Sequence, residues 1–135
     1  MTKVLSKNNR ITPKDRNALK GGIRRAFARS ELHRKVLDAA VVDHADLARP
    51  RVKTWCYCNY CGELEARSYM VVDHVDPIIP LNSSFEELGA DVTIDRTWCE
   101  EHNLQVLCKT CHNIKYKIEA KKRKEFKNVK SNKKR

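Results

Sequence analysis

Two pairs of cysteines constrain this chain more than any other feature. Cys58 and Cys61 form one Cys-x-x-Cys knuckle, and Cys108 and Cys111 form a second one after 46 intervening residues. Such knuckles together supply the four thiolates of a tetrahedral zinc site, and we expect a structural zinc here. The alternative, four buried free cysteines, is rarely what paired knuckles represent. The zinc would tie the start of residues 58–111 to their end and frame whatever lies between.

Two further cysteines remain outside the knuckles. Cys56 and Cys99 each follow a Thr-Trp pair, and we predict that they are core thiols packed beside those tryptophans. A competing interpretation is that Cys99 and His102 replace one knuckle, because their spacing is also typical of metal ligands. A disulfide framework is not expected, since the chain looks cytosolic and that compartment keeps thiols reduced.

Charge divides the 135-residue chain into three parts. Residues 1–53 carry 14 Lys and Arg against 5 Asp and Glu, and residues 101–135 carry 12 against 3. Residues 54–100 carry only two arginines against nine carboxylates. The basic flanks suit a polyanion and the acidic centre suits a bound cation, although a solvated charged surface is the simpler alternative. Composition alone does not separate DNA from RNA.

The chain length fits one compact domain with an appendage. No stretch approaches the roughly 18 consecutive apolar residues of a membrane helix, and MTKVLSKNNR lacks the apolar core of a secretory signal. We therefore expect a soluble, cytoplasmic protein, in a host cytoplasm if a phage encodes it. The first ten residues are polar and basic, and we expect them to be disordered or to order only on nucleic acid.

Helices are predicted in the first part of the chain. Thr12 can cap a helix that runs towards Ala28, and a second helix starts at Ser30 with an apolar stripe that reaches Val41. The Gly21-Gly22 pair weakens the first of these. Residues 49–51 read as an extended linker.

The second part of the chain predicts the order strand, loop, strand, helix. A β-prone run at residues 69–72 ends in Asp73 and His74, and a second short apolar run covers residues 104–107. Residues 82–100 look like an acidic insertion between them. The helix that follows His112 should fray beyond about Glu119 into a basic tail.

The order of these residues is recognisable. Asp73-His74-x-x-Pro77 and Asn103-Leu-Gln-x-Leu lie between and against the knuckles, and His112 and Lys115 follow directly. Over residues 58–115 the sequence resembles the HNH (His-Asn-His) endonuclease family. The resemblance implies an α+β fold: a ββα-metal nuclease domain at 54–120 stapled by a four-cysteine zinc, a basic helical arm at 1–53 and a basic tail at 121–135.

The resemblance also implies roles for four residues. Asp73 and His112 would bind one divalent cation against the scissile phosphate, and His74 would act as general base. Asn103 would bridge backbone groups so that the loop presents His74 correctly. Taken alone, Asp73 could be a turn residue, His112 a surface residue and Asn103 a helix cap.

Two features depart from the family pattern. There are 28 residues between His74 and Asn103, more than the core motif requires, and the acidic stretch within them could shape substrate choice, contact a partner or repel DNA. The residue before the catalytic histidine is Asp, and an oxygen ligand favours Mg²⁺ or Mn²⁺. His33 and His44 lie outside the pattern, and His102 is left unassigned.

The resulting hypothesis is a DNA endonuclease that nicks or cuts, of a kind often encoded by bacteriophages or mobile elements. Non-specific phosphate contacts are expected from the basic flanks, with six candidates: Arg24, Arg25, Lys115, Lys121, Lys122 and Arg123. Each chain holds one site, so cutting both strands needs a homodimer or two visits, and a phage or host protein is a further candidate partner. The alternatives are a non-catalytic zinc-ribbon protein that binds nucleic acid or assembles with it, and an RNA-directed nuclease.

Overall fold

The computed structural model describes residues 10–133, so the prediction for the N-terminal residues 1–9 lies outside the described part. Within it, the chain is an α+β protein with five α-helices and five short strands. In chain order these are α1 (Pro13–Ala28), α2 (Glu31–Ala39), β1 (Val41–Val42), β2 (Trp55–Tyr57), β3 (Leu64–Ala66), β4 (Met70–His74), α3 (Phe85–Leu88), α4 (Ala90–Thr97), β5 (Leu104–Cys108) and α5 (Lys109–Lys133).

The two N-terminal helices begin where the sequence predicts. Thr12 and Asp15 form a reciprocal capping box at the start of α1, and the Ser30 hydroxyl accepts from the His33 amide at the start of α2. The predicted stripe of α2 extends too far, because Val41 lies in β1, where it pairs with Cys56 of β2. The helix therefore ends two residues earlier, and the chain turns to begin a sheet.

Two antiparallel sheets follow. One has the strand order β1-β2-β3, and the other pairs β4 with β5 from Met70 opposite Cys108 to His74 opposite Leu104. Alternate residues of β4, namely Met70, Val72 and His74, are buried, as the two-residue period of a strand requires. Since α5 starts directly after β5, the strand pair and the helix form one continuous unit.

The core surrounds this strand pair. One cluster joins four of the cysteines to Met70, Val106 and Leu107, and another joins Phe27 of α1 to Val72 and Leu104. Val36 and Leu37 of α2 pack against both clusters. Helix α2 therefore links the cysteine region to the region around His74.

The prediction that the last helix frays beyond Glu119 is wrong, because α5 continues to Lys133. The Arg123 guanidinium donates to the carbonyls of Ile79 and Pro80 at 2.6 and 3.2 Å. About two turns later along the helix, Lys130 donates to the Asn82 carbonyl at 2.6 Å. The cationic residues thus fix the helix to the loop after β4.

The acidic segment at residues 82–100 is folded into the domain. It forms α3 and α4, buries Phe85, Thr93 and Thr97, and packs against α1. Its carboxylates pair with the basic flanks, as in Arg16–Glu86 at 2.9 Å and Lys130–Glu87 at 3.6 Å. Among the described residues, no helix is long and apolar enough to cross a membrane.

Candidate functional site

The four knuckle cysteines come together. The Sγ atoms of Cys58, Cys61, Cys108 and Cys111 all lie within 4.8 Å of one another, and those of Cys61 and Cys108 are 4.0 Å apart. A tetrahedral zinc with Zn–S bonds of about 2.3 Å places its sulfurs about 3.8 Å apart. These four thiols can hold a metal ion such as zinc.

Asn59 explains how knuckles so distant in sequence meet. Its backbone amide donates to the Val106 carbonyl at 2.8 Å, and its side-chain oxygen accepts from the Val106 amide at 2.6 Å. Gly62 closes the first knuckle with φ of +74°, a conformation that suits glycine. The first knuckle is thus attached to β5, the strand that leads into the second.

The ionisation of the thiols also favours a bound cation. Burial acts to raise the pKa of Cys58, but hydrogen bonds from the backbone of Cys61, Cys108 and Tyr60 lower it to about 6. Burial and the three neighbouring thiols raise the pKa of Cys111 to about 12. One thiolate forms readily and opposes the next, so four thiolates require a positive charge among them.

The two remaining cysteines lie outside this cluster. Cys56 is fully buried in the core next to Trp55, as expected of a core thiol. Cys99 is partly buried and packs against the cluster around Phe27. The alternative in which Cys99 and His102 replace one knuckle finds no support, because the cluster found in the described part consists of the four knuckle cysteines.

Asp73 lies at the centre of a second polar cluster. Strand pairing sets it opposite Gln105, whose side-chain amide donates to Asp73 Oδ2 at 2.9 Å. The Lys115 ammonium lies 2.8 Å from the same oxygen and also donates to the His74 carbonyl at 2.7 Å. Since the Asp73 side chain is only 12% exposed, these contacts balance a largely buried charge.

His112 faces the other oxygen of this carboxylate. Its Nε2 lies 3.8 Å from Asp73 Oδ1, and its side chain is 35% exposed. One ion that bonds each atom at about 2.0–2.2 Å can span this distance. The two residues predicted to share a divalent cation therefore fit that role as a pair, with Lys115 already beside the carboxylate.

His74 is held from the opposite face of β4. Its ring packs against Phe27 with centroids 5.1 Å apart, and its Nε2 lies 2.8 Å from the Thr97 carbonyl oxygen. A carbonyl oxygen only accepts, so Nε2 carries a proton and, in the neutral form of the ring, Nδ1 is the nitrogen with the lone pair. Thr97 ends α4, so the acidic segment fixes the tautomer and orientation of this ring.

Asn103 clamps the loop after His74. Its side-chain oxygen accepts from the Asp76 amide at 2.9 Å, and its amide group donates to the Asp76 carbonyl at 3.5 Å. Its own carbonyl accepts from Val75 at 2.8 Å. Arg96 adds to the clamp by donating to the carbonyls of Ile78 and Pro77. Asn103 thus joins the loop after His74 to the start of β5.

Asp73, His74 and His112 line a cavity of about 740 Å³ whose walls include α1 and α5, which we call the α1/α5 cleft. Two predicted phosphate-binding residues, Arg24 and Arg123, line its walls. The others lie elsewhere: Arg25, Lys121 and Lys122 are exposed outside the lining, and Lys115 is paired with Asp73.

Sequence reasoning missed several residues that build the site. Gln105 and Thr97 contact Asp73 and His74, and Arg96 holds the loop between them. Gln105 could have been predicted, because it lies within the recognised motif and opposite Asp73 in the strand pair. Thr97 acts through its backbone carbonyl and leaves no signal in the sequence.

Comparisons with family models, with curated proteins and with solved structures find no match to this chain.

Proposed function

We propose that this protein is a metal-dependent DNA endonuclease of the HNH type, with a structural zinc on its four knuckle cysteines. The observation that carries the proposal is that Asp73, His74 and His112 all line the α1/α5 cleft, with His112 Nε2 3.8 Å from Asp73 Oδ1. A carboxylate and an imidazole able to share one cation lie there with a second imidazole whose Nε2 is fixed by a carbonyl. A protein that only binds nucleic acid has no need of that combination.

The residues support hydrolysis of a phosphodiester. Nδ1 of His74 takes a proton from the attacking water, the new P–O bond forms, and the bond from phosphorus to the 3′ oxygen breaks. The leaving oxygen takes a proton from water, which gives a 3′ hydroxyl and a 5′ phosphate. A Mg²⁺ or Mn²⁺ ion held by Asp73 and His112 would supply Lewis-acid stabilisation of the charge on the phosphoryl and leaving oxygens.

Plasmid nicking tests the proposal. Purified, zinc-loaded protein should convert supercoiled DNA to open circles with Mg²⁺ or Mn²⁺ and not without them. His112→Ala should lower the rate at least about 100-fold, because one of the two cation ligands is lost. This variant should still fold, since the side chain is partly exposed and begins a long helix. His74→Gln should lower the rate similarly.

The matched control is His102→Ala, which removes an exposed histidine outside the cleft lining. It should nick at the wild-type rate. If folded wild-type protein binds the plasmid but cuts it with neither metal, the chain is a zinc-stapled binding module instead.

A further inference from the structure

Two exposed aromatic rings line the α1/α5 cleft. Tyr116 and Phe126, both on α5, are 66% and 43% exposed. Tyr116 lies four residues after His112, so the two side chains are neighbours on one helix face. Phe126 lies about 15 Å further along the helix axis, at about 1.5 Å per residue. The cleft thus offers one exposed ring near His112 and a second about 15 Å further along α5.

Cations accompany these rings. Lys20 and Arg24 of α1 and Arg123 and Lys127 of α5 line the same cleft. Burial lowers the pKa of Lys20, and the charges of Arg24, Arg123 and Lys127 lower it further. The charges of Arg24, Arg123 and Lys127 are therefore close enough to act on the Lys20 ammonium.

The carboxylates of the lining do not neutralise these cations. Asp73 and Glu119 pair with Lys115, and Glu87 pairs with Lys130. Among residues 10–131, by contrast, no carboxylate lies within 4.0 Å of the charged groups of Lys20, Arg24 or Lys127. The walls therefore keep a positive charge available to a phosphate backbone.

We propose that the α1/α5 cleft binds an unpaired DNA strand and leads its backbone to Asp73, His74 and His112. The preferred substrate is then DNA with a single-stranded segment at the cut site, such as a fork, a flap or a displaced strand. This inference rests on the proposed nuclease function and adds its substrate class.

The combination of rings and cations favours an unpaired strand over a duplex. Single strands bind in grooves where cations follow the backbone and bases stack on aromatic rings. In a duplex the bases are stacked on each other and are not free to contact Tyr116 or Phe126. A strand free of its partner also bends readily, whereas duplex DNA is stiff over about 150 base pairs.

The depth of the site favours the same substrate. His74 is only 7% exposed, and the Asp73 side chain only 12%. A phosphate must enter the recess to reach them. A flexible strand can follow the cleft inward, while a phosphate on the surface of a rigid duplex requires the DNA to deform.

Binding of short oligonucleotides tests the inference. The full zinc-loaded chain, without added Mg²⁺ or Mn²⁺, is titrated at fixed salt into fluorescent oligo-dT of about 12 nucleotides and into a duplex of the same length, and anisotropy is read. Simple electrostatics favours the duplex, which has the higher charge density. We expect the reverse: the single strand should bind at least about tenfold more tightly, because bases stack on the cleft rings.

The variants are Tyr116→Ala and Phe126→Ala. Each should weaken binding of the single strand about tenfold and leave duplex binding unchanged, since only the unpaired bases stack. The control is Tyr57→Ala, whose ring is 51% exposed and lies outside the cleft lining. It should leave both affinities as they are. Circular dichroism checks that the helix is intact.

Two outcomes overturn the inference. One is a duplex that binds as tightly as the single strand, and the other is a Tyr116→Ala variant that weakens both equally. Cleavage of a forked DNA and its blunt duplex counterpart, with Mg²⁺, separates the two proposals. Equal cutting of both would retain the nuclease and reject the substrate class. Tyr116-dependent binding of single strands without any cutting would retain the cleft assignment and reject the nuclease.

Discussion

The cysteine cluster and the Asp73 site both contain side chains that can carry negative charge, but that charge is balanced differently in the two. The Sγ atoms of the four thiols lie within 4.8 Å of one another, and burial together with their mutual influence raises the pKa of Cys111 to about 12. Asp73 has the Lys115 ammonium 2.8 Å away and the Gln105 amide at 2.9 Å. The first site can be completed by an external cation, whereas the second has the Lys115 ammonium of the same chain. We therefore expect metal to be structural at the cysteines and dispensable for folding at Asp73.

Loss of zinc should have the largest effect. Cys108→Ser, or treatment with a strong chelator, should lower the free energy of unfolding by more than about 5 kcal/mol, because structural zinc contributes on the order of 10 kcal/mol. That is enough to unfold a domain of ordinary stability. Thermal melting by circular dichroism, together with the zinc content per chain, measures it.

The control for this prediction is Cys99→Ser, which lies outside the cluster and should cost about 1 kcal/mol. A chelated protein that keeps its cooperative melt at the same Tm would show that the cysteines do not need a metal. The proposed difference between the cysteine cluster and the Asp73 site would then be wrong.

Lys115→Gln should have an intermediate effect. Asp73 then lies largely buried without its cation, so the free energy of unfolding should fall by about 1–3 kcal/mol in the absence of divalent ions. Added Mg²⁺ should restore part of the loss, because an ion at Asp73 replaces the missing charge. Thermal melts with and without Mg²⁺ measure both changes.

Lys117→Gln, an exposed residue two positions along α5, is the matched control and should change neither melt. If Mg²⁺ stabilises Lys115→Gln no more than it stabilises wild type, Asp73 does not take up the ion and the internal counterion argument is wrong.

The smallest predicted effect is a pH dependence of stability that comes from His33 of α2, the helix that packs against both regions. Burial, and then the charge of Arg67, lower the pKa of His33 below 6.5. The unfolded chain therefore binds a proton at a higher pH than the folded protein does. Stability should fall as pH drops through about 6.5 and level off below the folded pKa. Urea midpoints measured from slightly alkaline to mildly acidic pH, in zinc-saturated buffer, give this slope.

His33→Gln should flatten the slope, and His102→Gln, at an exposed position, should not. Equal slopes in wild type and His33→Gln would place the acid sensitivity elsewhere, with the cysteine cluster the first candidate.

The sequence predicts the features that depend on residues close together in the chain, and it does not predict those that depend on distant residues. The knuckles, the cap at Thr12, the start of the second helix at Ser30 and the strand ending in His74 depend on spacing over a few residues, and all are found in the structure. The position of Cys56 opposite Val41 in a sheet depends on strand pairing, which short strands signal poorly.

Residues far apart in sequence account for the rest. The ring of His74 is held by a carbonyl 23 residues away, and a backbone group leaves no mark on residue identity. Beyond Glu119, Arg123 and Lys130 of α5 donate to backbone carbonyls of residues 79–82. From the sequence alone these two side chains read as solvated charges. Lys and Arg rows lack the apolar period that predicts a packed helix.

The joining of Asn59 to Val106 has a consequence for chain entropy. It closes a loop whose ends are fixed by the first knuckle and β5, and lengthening a closed loop costs only about 0.6 kcal/mol for each doubling of its length. Residues added at the loop surface around 81–84 would therefore be tolerated by the cysteine cluster. They would be limited instead by two contacts that must be kept: the hydrogen bond from Lys130 to the Asn82 carbonyl and that between His74 and the Thr97 carbonyl. Insertions before α4 lie between His74 and Thr97 and should therefore disturb the ring of His74. Insertions after α4 lie outside that segment and should not.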